Sequence, residues 1–107
     1  IINICDDAAS RGSRNHIGYA AAKAALLNTT LSFARLFPPS VRVNAISPGL
    51  LYLKEGSDAA YQARAISKAK IQREPGADPI INTLDYIMAS DFMTGSNIVV
   101  NGGRHIK

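Results

Sequence analysis

The sequence predicts an α/β fold built on a parallel sheet, with elements in the order β-α-β-α-α-β. Three observations carry that expectation. Ile1 to Cys5 and Val41 to Ser47 are short apolar runs rich in β-branched residues. They are continuous, not alternating, as in strands of a parallel sheet covered on both faces. Between them lies a long helical stretch, which suits a crossover connection and is too long for a hairpin. Pro38-Pro39, Pro48-Gly49 and Pro75-Gly76 punctuate the chain between these segments.

Residues 1 to 5 are expected to form a strand buried on both faces, and residues 6 to 15 a polar loop that turns at Gly12. Ser13 or Asn15 is placed to cap the following helix. That helix is expected from Ile17 to Phe37, stopped by the two prolines. It shows two apolar rows, Leu26, Thr30, Phe33, Phe37 and Leu27, Leu31, Ala34. A helix apolar over so much of its circumference needs cover on two sides, one supplied by its own sheet. Val41 to Ser47 follows as a strand, then a loop to Gly56 and a helix from Ser57 to about Arg73, capped by Ser57 or Asp58. Its apolar stripe is thin, which suits a mobile lid over a substrate. Pro79 opens a helix near Ile80 to Ser90, with Ile80, Ile81, Leu84, Ile87 and Met88 as its expected buried face. The last strand is Asn97 to Val100, before Gly102-Gly103 and a basic tail. The chain opens without a methionine, directly on a strand, so residues 1–107 are read as one part of a larger single domain.

Apolar residues make up 47% and charged residues 19% of the chain, which places it among globular proteins and not disordered ones. The net charge is +4, but the basic residues are scattered and lack interleaved aromatics, so nucleic acid is not an expected partner. No run approaches the roughly 18 apolar residues that suggest a membrane span. The single cysteine, Cys5, excludes an internal disulfide and agrees with a cytoplasmic location. Its place in an apolar strand makes it a core residue. Two histidines and one cysteine stand far apart, so no metal site is expected. His16 reads as a surface residue.

The candidate chemistry starts at Tyr19 and Lys23. Four residues apart on a helix, they share a face one turn apart. An ammonium beside a phenol stabilises phenolate and is expected to lower the tyrosine pKa from its reference of about 10. Tyr19 is therefore a candidate general acid. Asp6 and Asp7 sit at the carboxyl end of the first strand, where ligands bind in open α/β sheets. Asp7 is read as structural.

In order, these motifs are an apolar strand ending at Asp6, a Tyr19-x-x-x-Lys23 helix, Arg42-Val43-Asn44, Pro48-Gly49, Met93-Thr94-Gly95 and Asn101-Gly102-Gly103. The series resembles the short-chain dehydrogenase/reductase family along essentially the whole chain. That resemblance implies the C-terminal half of a Rossmann-type doubly wound parallel sheet, with the N-terminal dinucleotide-binding half absent. Most members carry a serine thirteen residues before the tyrosine; here Asp6 stands there. A carboxylate cannot polarise a ketone by donating a hydrogen bond, but it can accept from an amino-substituted ring or relay a proton to a nitrogen. Asp at this position is similar to pteridine reductases, and Arg11-Gly12-Ser13, His16-Ile17, Ser32-Phe33-Ala34-Arg35 and Gly102-Gly103-Arg104-His105 look closest to their bacterial dihydromonapterin reductase branch.

The resemblance implies NADPH-dependent reduction of a dihydropterin, dihydromonapterin or dihydrofolate, with catalytic Asp6, Tyr19 and Lys23. Tyr19, Lys23, Pro48, Gly49 and Leu51 would contact the cofactor, and Asp6, Tyr19 and Leu50 the substrate. A homo-oligomer, dimer or tetramer, is expected through the Tyr19-Lys23 helix, and His105 is placed to approach a site across a subunit boundary. Asn101 replaces an aspartate common among relatives, a change expected to affect packing only. Two other readings stay open. One is a ketone reductase acting on an oxoacyl thioester, sugar or alcohol, with Asp6 incidental; the other is a non-catalytic assembly module.

Overall fold

A computed structural model describes all 107 residues. Three strands, β1 (Ile2–Ile4), β2 (Asn44–Pro48) and β3 (Asn97–Val100), form one parallel sheet in that order. Four helices connect them: α1 (Ala8–Arg11), α2 (Ile17–Leu36), α3 (Ala59–Ser67) and α4 (Asp78–Ala89). The expected α/β fold and element order are borne out, with α1 as an addition inside the stretch read as loop. The short helix forms because the Asp6 carboxylate accepts from the Ala8 N–H at 2.7 Å, starting a turn that the left-handed Gly12 (φ 75°) ends.

Only β2 is buried along its whole length. The helices cover the sheet diagonally: α2 packs on β1 and β2, whereas α4 packs on β2 and β3. The register pairs Ile4 with Ile46 and Ile46 with Ile98, so these three point to one face, and there Ile46 meets Ile80 and Ile87 of α4. Alternation sends Asn3 and Ala45 to the other face, where Asn3 Nδ2 donates to the buried Thr30 Oγ1 of α2 at 2.9 Å. Ile4 is 42% exposed, because α4 packs mainly on β2 and β3, and the expectation of a first strand buried on both faces is corrected. Val99, beyond the reach of α2, is 44% exposed for the same reason.

The Arg42-Val43-Asn44 segment clamps the turn that leads into β3. Asn44 donates to the Met93 carbonyl at 2.9 Å and accepts from Ser96 N at 3.0 Å. Arg42 also donates to Met93 O, and Val43 N to Thr94 Oγ1. Arg42 and Val43 are thus spent on this clamp, Val41 N donates back to Phe37 O at the end of α2, and the strand begins at Asn44 instead of Val41.

Helix α2 closely matches its expected limits. Its N-terminus differs: Asn15 makes no cap, and Ser13 Oγ accepts from His16 N at 3.2 Å. Its sheet side is formed by Ala20, Thr30 and Ala34, while Ala21, Ala22 and Ala25 are exposed. Helix α3 is shorter than expected. Asp58 caps it, accepting from Tyr61 N at 2.7 Å, but beyond Ser67 the chain leaves the helix, and Lys70 N and Ile71 N both donate to the Gly102 carbonyl. Gly102 and Gly103 have positive φ (61° and 78°), and a Cβ on either would come within 3.2 Å of Ala69 or Lys70. In α4, Ile80 and Ile87 are buried, but Ile81 and Met88 are 49% and 68% exposed, because the helix presents only the i, i+4, i+7 row to the sheet. No helix is long and apolar enough to cross a membrane.

Candidate active site

The carboxyl ends of β1 and β2, the start of α2 and the tail after β3 converge on an open polar cleft of about 390 Å³. Asp6, Tyr19, Gly49 and Leu50 line it, together with Arg11, Arg14, His16, Lys68 and Arg104. The volume is that of a small-molecule site.

Asp6 leaves β1 with both carboxylate oxygens engaged. Oδ1 accepts from Ala8 N at 2.7 Å, and Oδ2 accepts from the Tyr19 hydroxyl at 2.9 Å. The helix starting at Ile17 thus brings a residue thirteen positions later to the strand end. Lys23, one turn on, sends its ammonium to the Ile4 carbonyl at 3.0 Å and lies 5.8 Å from the centre of the Tyr19 ring. The structure corrects the expected electrostatics of this pair. Tyr19 has its pKa raised, by burial of its hydroxyl and by the Asp6 carboxylate that accepts from it. Lys23 is drawn to the strand carbonyl, while an anion stands at the hydroxyl. At neutral pH Tyr19 is a protonated donor, the form that an acid requires.

Asp7 points inward. It is 5% exposed and receives two bonds from Arg11, at 3.1 and 3.2 Å, with Arg104 at 3.6 Å. Burial works against its ionisation, but the Arg11 hydrogen bonds and the Arg104 charge outweigh it and hold the pKa below the ordinary value. Asn101 Nδ2 adds a donor at 3.5 Å, and Asn101 Oδ1 accepts from Gly103 N at 3.1 Å and faces His105 Nδ1 at 3.1 Å. The expectation that Asn101 affects packing only is corrected, since an aspartate there would set a second carboxylate against Asp7. His105 is tied to Asn101 of its own chain, and His16 is exposed. Cys5 is 2% exposed and its thiol is pushed up by burial, as suits a core position.

At the end of β2, Pro48 O accepts from Asp7 N and Gly49 N donates to Val100 O. A Cβ on Gly49 would lie 2.8 Å from Asn101 Cβ, so glycine is required for this approach. The Gly49 carbonyl and the Leu50 and Leu51 N–H groups have no backbone partner. Leu50 reaches the cleft, but the Leu51 side chain turns to a separate apolar pocket with Ile66, Ile71 and Val100 and packs on the Ile46 cluster. Sequence reasoning gave no role to Arg11, Arg104, Arg14 or Lys68. The four-residue Asp7–Arg11 spacing was an available signal; nothing in the chain links Lys68 or Arg104 to the site.

Comparison with known proteins gives the family and the fold. A family model described as enoyl-(acyl carrier protein) reductase, belonging to the short-chain dehydrogenase/reductases, matches residues 1–105. The chain is 46% identical over 107 residues to a dihydromonapterin reductase of Citrobacter koseri, covering all of this chain and 45% of that protein. Among solved structures, a short-chain dehydrogenase/reductase of Brucella melitensis described as a glucose/ribitol dehydrogenase superposes with a TM-score of 0.87 at 27% identity, over all of this chain and 45% of the other. A 4-hydroxyisoleucine dehydrogenase complexed with NADH gives 0.91 at 29% identity, over 100% and 47%. The chain spans about 45% of the length of the curated relatives it matches.

Proposed function

The chain belongs to the short-chain dehydrogenase/reductase family, and we propose that it carries the proton-transfer part of a site that reduces a dihydropterin, dihydromonapterin or dihydrofolate, with NADPH. The observation that carries this reading is the 2.9 Å hydrogen bond from Tyr19 to Asp6, a carboxylate where a ketone reductase needs a donor. The dihydromonapterin reductase relative supports the same substrate class. A free thiol at Cys5 suits a cytoplasmic enzyme.

The residues present fit a nicotinamide cofactor. Lys23 uses one of its three donors on Ile4 O, which leaves two for ribose hydroxyls. The backbone groups of Gly49, Leu50 and Leu51 that lack partners suit a carboxamide. When bound, the cofactor supplies a hydride, two electrons and one hydrogen, to the carbon of a C=N bond. The nitrogen of that bond then needs one proton, and the Asp6–Tyr19 pair holds one at the cleft. Asp6 accepts from the ring's N–H groups, and Tyr19 gives its hydroxyl proton to the nitrogen directly or across Asp6. The raised tyrosine pKa keeps that proton in place between turnovers. Asp7, with Arg11 and Arg104, fixes the backbone from which Asp6 projects.

Full-length enzyme with Asp6→Ser tests the reading. Turnover of a dihydropterin should fall by about 10²–10⁴, the worth of a positioned acid group. A thioester reductase is the second reading, favoured by the description of the matching family model. Under it, Asp6→Ser would retain or raise thioester reduction and the wild type would leave pterins untouched. Running each assay with NADPH and NADH decides the cofactor. The exposed outer face of α2, uncharged from Gly18 through Thr29 apart from Lys23, supports a homo-oligomer formed through that helix.

A further inference from the structure

We propose that Arg14 and Lys68 form a cationic rim on the cleft that takes an anionic group, carboxylate or phosphate, on the side chain of the substrate; this rests on the pterin reading above. The cleft is lined by four cations, Arg11, Arg14, Lys68 and Arg104, against two carboxylates, Asp6 and Asp7. Their partners divide unequally. Arg11 and Arg104 both converge on Asp7. Both oxygens of Asp6 are taken by Ala8 N and Tyr19 Oη. Arg14 and Lys68 form no ion pair or side-chain hydrogen bond with any residue, and both are exposed.

The two come from separate elements, Arg14 from the α1–α2 loop and Lys68 from the end of α3, yet line one cleft. A pterin ring seated at Asp6 and Tyr19 carries no charge to match them, so the complement belongs on the tail that leads out of the cleft. Gly49 and Leu50, which would face a nicotinamide, share this cleft with Arg14 and Lys68, whereas Lys23, which would hold the ribose, does not line it; the anion is assigned to the substrate, and NADPH binding by the variant below tests that choice. Arg14 can meet a carboxylate or phosphate through two parallel N–H groups, and Lys68 adds a point charge.

The test compares full-length wild type with Arg14→Gln/Lys68→Gln. The substrates are dihydrofolate, whose tail ends in carboxylates, and dihydromonapterin, whose tail is uncharged. The double variant should raise KM for dihydrofolate about tenfold more than KM for dihydromonapterin, with kcat for both nearly preserved, as two solvent-screened charge contacts allow. Added salt should raise the dihydrofolate KM of wild type and lose most of that effect in the variant. Equal shifts for the two substrates would overturn the proposal, and so would weaker NADPH binding in the variant, which would assign the anion to the cofactor. Calorimetry with inorganic pyrophosphate needs no turnover: binding should weaken several-fold in the variant, and unchanged binding overturns the rim. If wild type reduces neither pterin but pyrophosphate binding still depends on Arg14 and Lys68, the pterin reading falls and the rim stands.

Discussion

Two adjacent carboxylates, Asp6 and Asp7, meet opposite surroundings, and each sets a measurable titration. Asp6 faces a phenol and raises its pKa, so Tyr19 should ionise above the ordinary tyrosine value of 10.0 in the wild type. Asp6→Asn removes both the charge and the best acceptor. The Tyr19 transition, isolated as the difference in phenolate absorbance from Tyr19→Phe, should then move down; an unmoved transition would break the claimed coupling. Asp7 faces guanidinium groups, and its pKa lies below the ordinary 3.8. A lowered pKa contributes stability that is present in full above the unfolded value and lost as the pH falls through the folded one. Wild type should therefore exceed Asp7→Asn in melting temperature at neutral pH, with the gap closing below pH 3.8. Asn101→Asp should cost about 1–3 kcal/mol at neutral pH by placing a carboxylate against Asp7 in a buried setting, and less in acid.

At the scale of elements, helix α4 shows what patterning reveals and what it leaves open. Its apolar residues Ile80, Ile81, Leu84, Ile87 and Met88 span two adjoining rows, and either could face the sheet. The choice was settled by the diagonal placement of α4 over β2 and β3, a tertiary fact that the periodicity does not contain. Ile87→Ala should cost about 2–5 kcal/mol in denaturant unfolding, as for a filled core site. Met88→Ala should change stability by no more than about 0.5 kcal/mol. Comparable losses would show that the outer row is covered. The strands, α2 and the Tyr19–Lys23 pair were legible because continuous β-branched runs, a long helix stopped by prolines and a four-residue spacing are local signals, whereas Asp6 joined that pair through its place at a strand end and the family resemblance. Helix α1, the early end of α3 and the Asp7–Asn101 contact were not, because each depends on a partner distant in sequence or on one side-chain bond that starts a turn.

For the whole molecule, the three-stranded sheet has a single fully buried strand, and its two main helices each cover two strands from opposite faces. That arrangement leaves α2 with one side on the sheet, at Ala20, Thr30 and Ala34, and the opposite side bare. The bare side holds Gly18, Ala21, Ala22, Ala25 and Thr29, all exposed and none charged. Small side chains let two helix backbones approach closely, and an uncharged stripe of this length gains by leaving water. Because Ala25 is exposed on the bare side of α2, Ala25→Glu tests association without disturbing the core. The full-length variant should keep its far-ultraviolet circular dichroism yet elute in a smaller assembly, measured by size exclusion with light scattering, since two facing carboxylates would be driven together without partners. An unchanged mass with an unchanged spectrum would show that another part of the longer polypeptide, and not a second copy of α2, lies on this face.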